Sequence, residues 1–333
     1  MSSTLLLPLT RRSLPLASSL LHFVSSSRRR SKRIRFLLSC NSRDLERSLR
    51  LHYPDLLASH EHEPIPDWTK PKDLQEALGI CDGVVLAAGG VGDHCINVPS
   101  NLTDEWLRCE QQVATLVSKD HRVVKLSWME GFVHEQSPLA VGRATWAIEQ
   151  ELHRKLGEGG GTFAPNLTIL RAPTGMDAFL QGRLFDLVCG RTLSISIKHG
   201  RVAFVHPLDV AEVLSALVTT EDVGGAEAKG KLVKLTGPEA LTFADVAELL
   251  SKGIGEKVNY SYFPLWAVQP ARWVHGVPGD AIEEELAVIR ALEAGTQQEV
   301  DTTLVETRLG RTPRSFRAFI AENAAAWPRM DPK

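Results

Sequence analysis

Two short segments of the sequence carry the polar and aromatic side chains that are best placed to act on a substrate. One is the end of the apolar run RVVKLSW (122–128) together with Met129, and the other follows NLTILRA (166–172); both runs are typical of buried strands. Open α/β sheets bind ligands at the carboxyl ends of parallel strands, so residues at these positions are site candidates. We predict catalytic roles or substrate contacts for six side chains: Ser127 and Trp128 as catalytic residues, and Met129, Trp146, Thr174 and Met176 as substrate contacts.

The chemistry open to these side chains is hydrogen bonding and stacking. The hydroxyl of Ser127 could donate a hydrogen bond to a substrate carbonyl, and a purely structural capping role is an equally good interpretation. Trp128 and Trp146 could stack on an aromatic substrate, and for both of them packing in the core is the alternative. Both hydrogen bonding by Ser127 and stacking by the tryptophans would position a substrate rather than activate it.

Cysteines and histidines give no pattern that predicts a metal site. The five cysteines, at positions 40, 81, 95, 109 and 189, are odd in number and form no C-x-x-C pair. We also assign no metal-ligand set among the eleven histidines. This cysteine usage favours a reducing compartment over a disulfide framework.

Charge is distributed unevenly along the chain. Residues 1–43 contain nine Lys and Arg, eleven serines and no acid, which leaves 29 basic and 40 acidic residues in the remainder. An acidic body repels nucleic-acid phosphates, and no apolar run approaches the roughly 20 residues that span a bilayer. We therefore expect a small-molecule substrate, no nucleic acid and no membrane as partners, and a monomer or homodimer.

The elements that would position these residues alternate between strands and helices. Strand-like apolar runs are predicted at 34–40, 83–88, 122–128 and 166–172, and helices at 43–53, 71–78, 103–119 and 142–156. Continuous apolar strands separated by helices are what a parallel sheet covered on both faces requires. The sequence therefore predicts an α/β fold with a doubly wound parallel sheet, of the Rossmann kind.

The second half of the chain is less regular. We predict a strand and then a helix from Asp209 within 201–219, and a strand, a turn and a helix within 231–255. Thr242 is a plausible N-cap of the last helix, and glycines 253 and 255 mark its end. A short strand at 258–263 and a helix at 280–295 complete the prediction.

Six segments, in this order, resemble the NmrA-like, atypical short-chain dehydrogenase/reductase family. Its members include NAD(P)H-dependent quinone and azo reductases and festuclavine (ergot-alkaloid) dehydrogenases. The segments are DWTKPKDLQEALGICDGVVLAA (67–88), VVKLSW (123–128), GRATWAIEQEL (142–152), NLTILRAPTGMDAFL (166–180), LVKLTGPEALTFADVAELLSKGIGEKVNY (232–260) and TRLGRTPRSFRAFIAENAAAW (307–327). The resemblance covers residues 34–327 and implies an NAD(P)-binding Rossmann domain at 34–200 with a smaller α/β substrate-side region at 201–333.

The family places a strand, a G-x-x-G-x-x-G loop and a helix before the second strand. Residues 4–33 have that length: TLLL (4–7) would be the strand, LTRRSLP (9–15) the loop and LASSLLHFVSSS (16–27) the helix. The glycine positions become Leu9, Arg12 and Pro15, although glycine is needed there for the turn and for close approach of the pyrophosphate. Residues 1–33 are thus a degenerate first β-loop-α unit, a presequence, or the product of a mistranslated exon.

The residues after the second strand bear on whether the cofactor is NAD or NADP. In this fold an acid after the second strand binds the ribose of NAD. Here Ser39 is followed by no acid until Asp44, which favours NADP. Arg43 would then bind the additional phosphate of NADP, or it is simply a solvated residue of the turn. Besides Arg43, we predict cofactor contacts at Thr10, Arg11, Arg12, Ser39, Asp67, Trp68, Ala87, Ala88, Gly89 and Pro173, where the resemblance implies contacts to phosphate, adenine and ribose. Because arginine cannot replace backbone N–H groups at a helix start, NADP binding is expected to be weak or lost.

Ordinary short-chain dehydrogenases protonate their substrate with a Tyr-x-x-x-Lys pair on the helix that corresponds to 142–156. The three tyrosines of this chain, Tyr53, Tyr260 and Tyr262, all lie elsewhere, so that pair is absent. The atypical branch also lacks it, and there the proton comes from solvent or from the substrate. Thr145 occupies a position where some reductase relatives carry histidine, which further weakens acid–base catalysis.

The resemblance implies an NAD(P)-dependent reductase that acts on a small organic substrate, such as a quinone or an imine-containing metabolite. The alternative is a catalytically inactive, NADP-sensing regulator or pseudoenzyme, which the altered loop and the missing tyrosine favour. We expect a cytoplasmic location, or an organelle if residues 1–33 are a transit peptide.

Overall fold

The computed structural model describes residues 3–8, 16, 20, 34–39, 67–88, 100–128, 130–157, 164–219 and 232–328. The strands are β1 (Ser3–Pro8), β2 (Ile34–Ser39), β3 (Gly83–Leu86), β4 (Arg122–Trp128), β5 (Leu167–Ala172), β6 (Thr192–Ile195), β7 (Leu232–Lys234) and β8 (Asn259–Tyr262). The helices are α1 (Pro71–Gly79), α2 (Ser100–Leu116), α3 (Ala140–Leu156), α4 (Gly182–Cys189), α5 (Pro207–Thr219), α6 (Phe243–Ile254), α7 (Leu265–Val274), α8 (Gly279–Glu293), α9 (Thr303–Leu309) and α10 (Phe316–Asn323). Short 3-10 helices lie at Glu130–Phe132, Met176–Leu180 and Ala324–Ala326.

Within the described ranges, six strands form one parallel sheet in the order β2-β1-β3-β4-β5-β7. From β1 the chain first adds β2 on one side and then continues with β3 on the other. The strand order therefore reverses between β1 and β3, which is where doubly wound sheets open a crevice for ligands. This topology confirms the predicted doubly wound α/β fold.

Strand β1 lies in the interior of the sheet, so the predicted strand at residues 4–7 is confirmed. Leu5 and Leu6 pair with Gly83 and Val84 of β3, while the other edge of β1 pairs with β2 along its whole length. Removal of residues 3–8 as a presequence would leave β2 and β3 without the strand between them. Of the predicted loop and helix, only Leu16 and Leu20 lie within the described residues, and both are helical and buried.

Side chains alternate between two hydrophobic layers, one on each face of the sheet. Leu6 and Val84 pack into a core that also contains apolar residues of α1, α2 and α3. Their neighbours Leu7 and Val85 pack on the opposite face with residues of α5 and α9, and with Leu16 and Leu20. Because both faces are covered, most strand positions are apolar, which explains the nearly continuous apolar runs in the sequence.

Most predicted elements occur with bounds shifted by only a few residues, and one of them carries the predicted cap. Thr242 Oγ1 accepts a hydrogen bond from the Asp245 N–H at 3.1 Å, and the Asp245 carboxylate accepts one from the Thr242 N–H at 2.9 Å. Gly255 ends α6 with a φ of +80°, a conformation that favours glycine. The predicted helix at 43–53 lies outside the described residues.

The prediction for 201–219 was wrong in two respects. Residues 201–206 form no strand, because this segment bonds to separate partners: Val202 pairs with Leu241, Ala203 bonds to Gln297, and Val205 pairs with Gly175. The helix begins at Pro207 rather than at Asp209. Proline is well suited to a first helical position, since its fixed φ matches the helix and its missing N–H is not needed there.

A second, two-stranded parallel sheet joins β6 to β8, which confirms the predicted strand at 258–263. Strand β6 and helices α4, α7, α9 and α10 had not been predicted. Both sheets use strands from either side of residue 200, since β5 pairs with β7 and β6 pairs with β8. A boundary at residue 200 would therefore place strands that are paired in the same sheet in different domains.

Candidate functional site at the carboxyl edge of the sheet

The residues predicted after β4 and β5 are brought together at one edge of the sheet. The two strands pair in register, so that Ser127 lies beside Arg171 and Trp128 beside Ala172. The carboxyl ends of β1 and β3 lie on the same edge, because all these strands are parallel. The segments that contain the predicted residues therefore meet at this edge.

A buried ionic network lies directly below this edge. The Arg171 guanidinium binds the Glu149 carboxylate of α3 through two hydrogen bonds of 2.6 and 2.7 Å. Ser127 Oγ donates to Glu149 at 2.5 Å and accepts from Arg171 at 2.6 Å. The Arg171 and Glu149 side chains are only 5% and 4% exposed, so the pair is withdrawn from water.

This network bears on the role predicted for Ser127. A serine hydroxyl has a single proton, and here that proton is already used in the bond to Glu149. Donation to a substrate carbonyl would require Ser127 to leave this bond. Sequence reasoning missed Glu149 and Arg171, although an arginine within the apolar run LTILRA indicates that a buried acid must lie nearby.

Trp128 lies in the core with 6% of its surface exposed. Its ring centroid is 6.5 Å from that of Trp106 and 6.4 Å from that of Phe132, distances at which aromatic rings pack favourably. Trp146 is half-buried and packs against the same core. For Trp128 the packing alternative is therefore realised, and Trp146 keeps an exposed part that could contact a ligand.

The segment after β5 is held rigidly by bonds to distant parts of the chain. The Thr174 N–H and its Oγ1 both donate to Gln297 Oε1 at 2.9 Å. The Met176 N–H donates to the Val205 carbonyl at 2.9 Å, and the Met176 side chain is buried in the core. Pro173 is also buried. These contacts fix the backbone of the predicted substrate segment.

A second buried ion pair lies below the end of β3. Lys125 of β4 pairs with Glu110 of α2, and the same carboxylate accepts a hydrogen bond from the Ala88 N–H at 3.2 Å. Burial raises the pKa of Glu110, and Lys125 opposes that shift. The Ala88 N–H, at a predicted ribose contact, is thus already bonded within the protein, and the side chains of Ala87 and Ala88 are both buried.

The predicted adenine contacts divide into a turn residue and a core residue. The Asp67 carboxylate accepts hydrogen bonds from the N–H and Oγ1 of Thr69, at 2.9 and 2.7 Å, just before α1. Trp68 is 3% exposed and packs in the core, which leaves little of its ring for adenine. Ser39 is the last residue of β2. The remaining predicted contacts, Thr10, Arg11, Arg12, Arg43, Gly89 and Met129, lie outside the described residues.

One carboxyl group near this edge was not predicted. Asp177 lies in the 3-10 helix Met176–Leu180, and its Oδ1 is buried with no hydrogen-bond partner among the described residues. Burial raises its pKa from an ordinary value of 3.8 to about 6. The residue follows Met176 directly, so its position was available from the sequence, but its burial was not.

The described residues contain neither a metal centre nor a membrane-spanning helix. This part of the chain holds no group of three or more His, Cys, Asp or Glu side chains arranged to bind a metal ion. Nor does it hold a helix that is both long and apolar enough to cross a membrane.

Sequence comparison finds partial relatives among oxidoreductases. The chain is 26% identical to an agroclavine dehydrogenase of Claviceps fusiformis over 140 residues, which is 42% of this chain and 46% of that protein. It is 30% identical to the uncharacterized oxidoreductase YesF of Bacillus subtilis over 166 residues, which is 49% of this chain and 55% of that protein. The chain thus spans about half the length of these relatives, and no family model matches it.

Solved structures with the same fold cover nearly the whole chain. The Citrobacter triphenylmethane reductase in complex with NADP(H) aligns with a TM-score of 0.67 at 16% identity, over 96% of this chain and 99% of that one. The NADPH-dependent quinone oxidoreductase of Escherichia coli, complexed with NADPH, aligns at 0.65 and 16%, over 95% and 99%. The transcriptional regulator NmrA in complex with NAD aligns at 0.58 and 12%, over 96% and 95%. Fold and sequence similarity together confirm the resemblance of this chain to the NmrA-like, atypical short-chain dehydrogenase/reductase family.

Proposed function

We propose that the protein is an NAD(P)H-dependent reductase of a small organic substrate, such as a quinone or an imine-containing metabolite. The observation that carries this proposal is the interior position of β1, which creates the reversal of strand order beside β3. Dinucleotides bind at such reversals, with the substrate at the same edge of the sheet. The reductases with this fold, which bind NADP(H) or NADPH, support the same cofactor here.

Two stretches of the sequence bear on whether a dinucleotide binds: the residues after β3, and the segment at 9–15 that is predicted to be the phosphate loop. Ala87 and Ala88 follow β3 and have small, buried side chains, which supports a close approach of the ribose to the backbone there. The loop at 9–15, by contrast, has Leu9, Arg12 and Pro15 where the family has glycines. We therefore propose that NADP(H) binds with low affinity, and that the bound nicotinamide would supply the hydride.

The proton for the reduction would come from solvent or from the substrate. No Tyr-x-x-x-Lys pair exists on α3, and the proton of Ser127 is used by Glu149. The residues at the carboxyl edge would then act by positioning the substrate, which by itself contributes substantially to catalysis.

A second candidate function is a regulator that senses NADP without turning over a substrate. The observation that favours it is the same pair of features, a loop without glycines and a serine whose proton is engaged. The fold shared with the regulator NmrA supports it as well.

Two measurements on the purified protein separate these functions. Titration with NADPH and NADH, followed by nucleotide fluorescence, measures binding; oxidation of NADPH is then followed with a panel of quinones and cyclic imines. The reductase requires both binding and oxidation. Binding without oxidation by any panel member would favour the sensor, and the absence of both would refute the two functions together.

A further inference from the structure

Asp177 occupies a fixed position close to the carboxyl edge of the sheet. It lies five residues beyond the end of β5, directly after the predicted substrate contacts Thr174 and Met176. The bonds from Thr174 to Gln297 and from Met176 to Val205 hold the backbone that leads to it. Its place at this edge is therefore set by tertiary contacts.

The carboxyl group of Asp177 has no cation to neutralise it within the described residues. On α4, which packs against its 3-10 helix, Arg183 instead binds Glu285 of α8 at 2.8 Å, and the other charged group is the exposed acid Asp186. His206, which follows Val205, contacts Glu322 at 3.2 Å. The buried Oδ1 of Asp177 is thus left without a hydrogen bond or an ion pair in this part of the structure.

A carboxyl oxygen that is buried without a partner, as Oδ1 of the half-buried Asp177 is, costs stability, and such groups concentrate at ligand sites. With a pKa of about 6, Asp177 is mostly ionised at neutral pH. A bound cation would satisfy the carboxylate and would recover the free energy lost by its burial. A neutral ligand would leave the negative charge uncompensated.

We propose that Asp177 is the counter-ion for a positively charged nitrogen of the substrate. The site would then take protonated amines or iminium ions in preference to neutral rings. This inference rests on the proposed function only in taking the carboxyl edge as the substrate site. Of the two substrate classes named above, it selects the imine-containing one.

The test compares two probes of the same two-ring shape, the cation N-methylquinolinium and the neutral 1-methylnaphthalene. Binding to the cofactor-free protein is measured by calorimetry or by NMR. At about pH 8 the cation should bind at least about tenfold more tightly than the neutral ring, and the preference should fall about tenfold by about pH 5, where the carboxyl is protonated. The neutral ring should bind equally at both pH values.

Variants assign the preference to one residue. Asp177→Asn should abolish it without weakening the neutral ring, and Asp177→Glu should retain it. Asp186→Asn is the matched control, because it removes an exposed carboxylate from the neighbouring helix, and it should leave the preference unchanged. Circular dichroism and thermal unfolding check that each variant folds; if Asp177→Asn does not, the pH dependence of the wild type decides.

The proposal is overturned if the cation fails to bind, if both probes bind equally, or if the preference survives in folded Asp177→Asn. These outcomes are independent of turnover, since no nucleotide is present. A protein that binds the cation but never oxidises NADPH would refute the proposed function alone. A protein that oxidises NADPH with quinones while rejecting the cation would refute the present inference alone.

Discussion

Substitution of Glu149 tests whether the network below the carboxyl edge is held together by a buried charge pair. Glu149→Gln removes the carboxylate that faces Arg171 and Ser127, so the guanidinium stays buried without a counter-charge. Breaking a buried pair in this way typically costs about 3–5 kcal/mol. We expect a loss of that size in the free energy of unfolding.

Glu151→Gln is a matched control on the same helix. Glu151 also pairs with an arginine, Arg154, at 2.6 Å, but these side chains are 28% and 67% exposed, against 4% and 5% for Glu149 and Arg171. Exposed pairs are worth about 0.2–1 kcal/mol, so this substitution should have a small effect.

Urea denaturation followed by circular dichroism measures both effects, as a shift in the midpoint at an unchanged m-value. Adding Arg171→Met to Glu149→Gln should restore part of the lost stability, because removing both charges costs less than orphaning one. Equal losses for Glu149→Gln and Glu151→Gln, or a double variant as unstable as the sum of its single variants, would refute the reasoning.

Three further predictions concern protonation and cofactor binding. Asp177→Asn should stabilise the protein by up to about 3 kcal/mol at neutral pH and should have no effect near pH 4. Because the pKa of Asp177 is raised on folding, the contribution of this residue to wild-type stability is fully present below about pH 4 and is lost as the pH rises through about 6. Unfolding curves across this range check it, and parallel curves for both proteins would contradict it. Replacement of Leu9, Arg12 and Pro15 by glycine should tighten NADPH binding at least about tenfold, since phosphate hydrogen bonds worth about 1.5–3 kcal/mol each become possible; unchanged affinity in a folded variant would show that this segment is not the phosphate loop. Arg43→Ala should narrow the preference for NADPH over NADH in fluorescence titrations, and a wild type that binds both nucleotides equally would remove its basis.

The elements of the main sheet were predictable because their patterns are local. An apolar run such as GVVLAA (83–88) has no polar face to turn toward solvent, and its first four residues form the buried strand β3. The capping box of α6 was equally accessible, since Thr242 and Asp245 are only three residues apart. Helix α7 was not predicted, because it contains Pro270 and exposes Trp266 and Trp273, so it lacks an ordinary amphipathic pattern.

The extended segment at 201–206 shows how a local pattern can be insufficient. Its apolar alternation is compatible with a strand, but a strand also needs one neighbour along its length. Here Val202, Ala203 and Val205 bond to three different segments, at Leu241, Gln297 and Thr174. Which neighbours are available is decided by the packing of the whole chain.

The sequence by itself determined the fold class, the absence of a Tyr-x-x-x-Lys pair and the absence of glycine from residues 9–15, because each depends on residue types at short spacing. Only the tertiary structure decided what Ser127 does. Its partners Glu149 and Arg171 lie 22 and 44 positions away, and whether a hydroxyl is free or bonded depends on those contacts. The same holds for Asp177, whose sequence position is unremarkable and whose raised pKa arises from burial by residues that only folding brings around it.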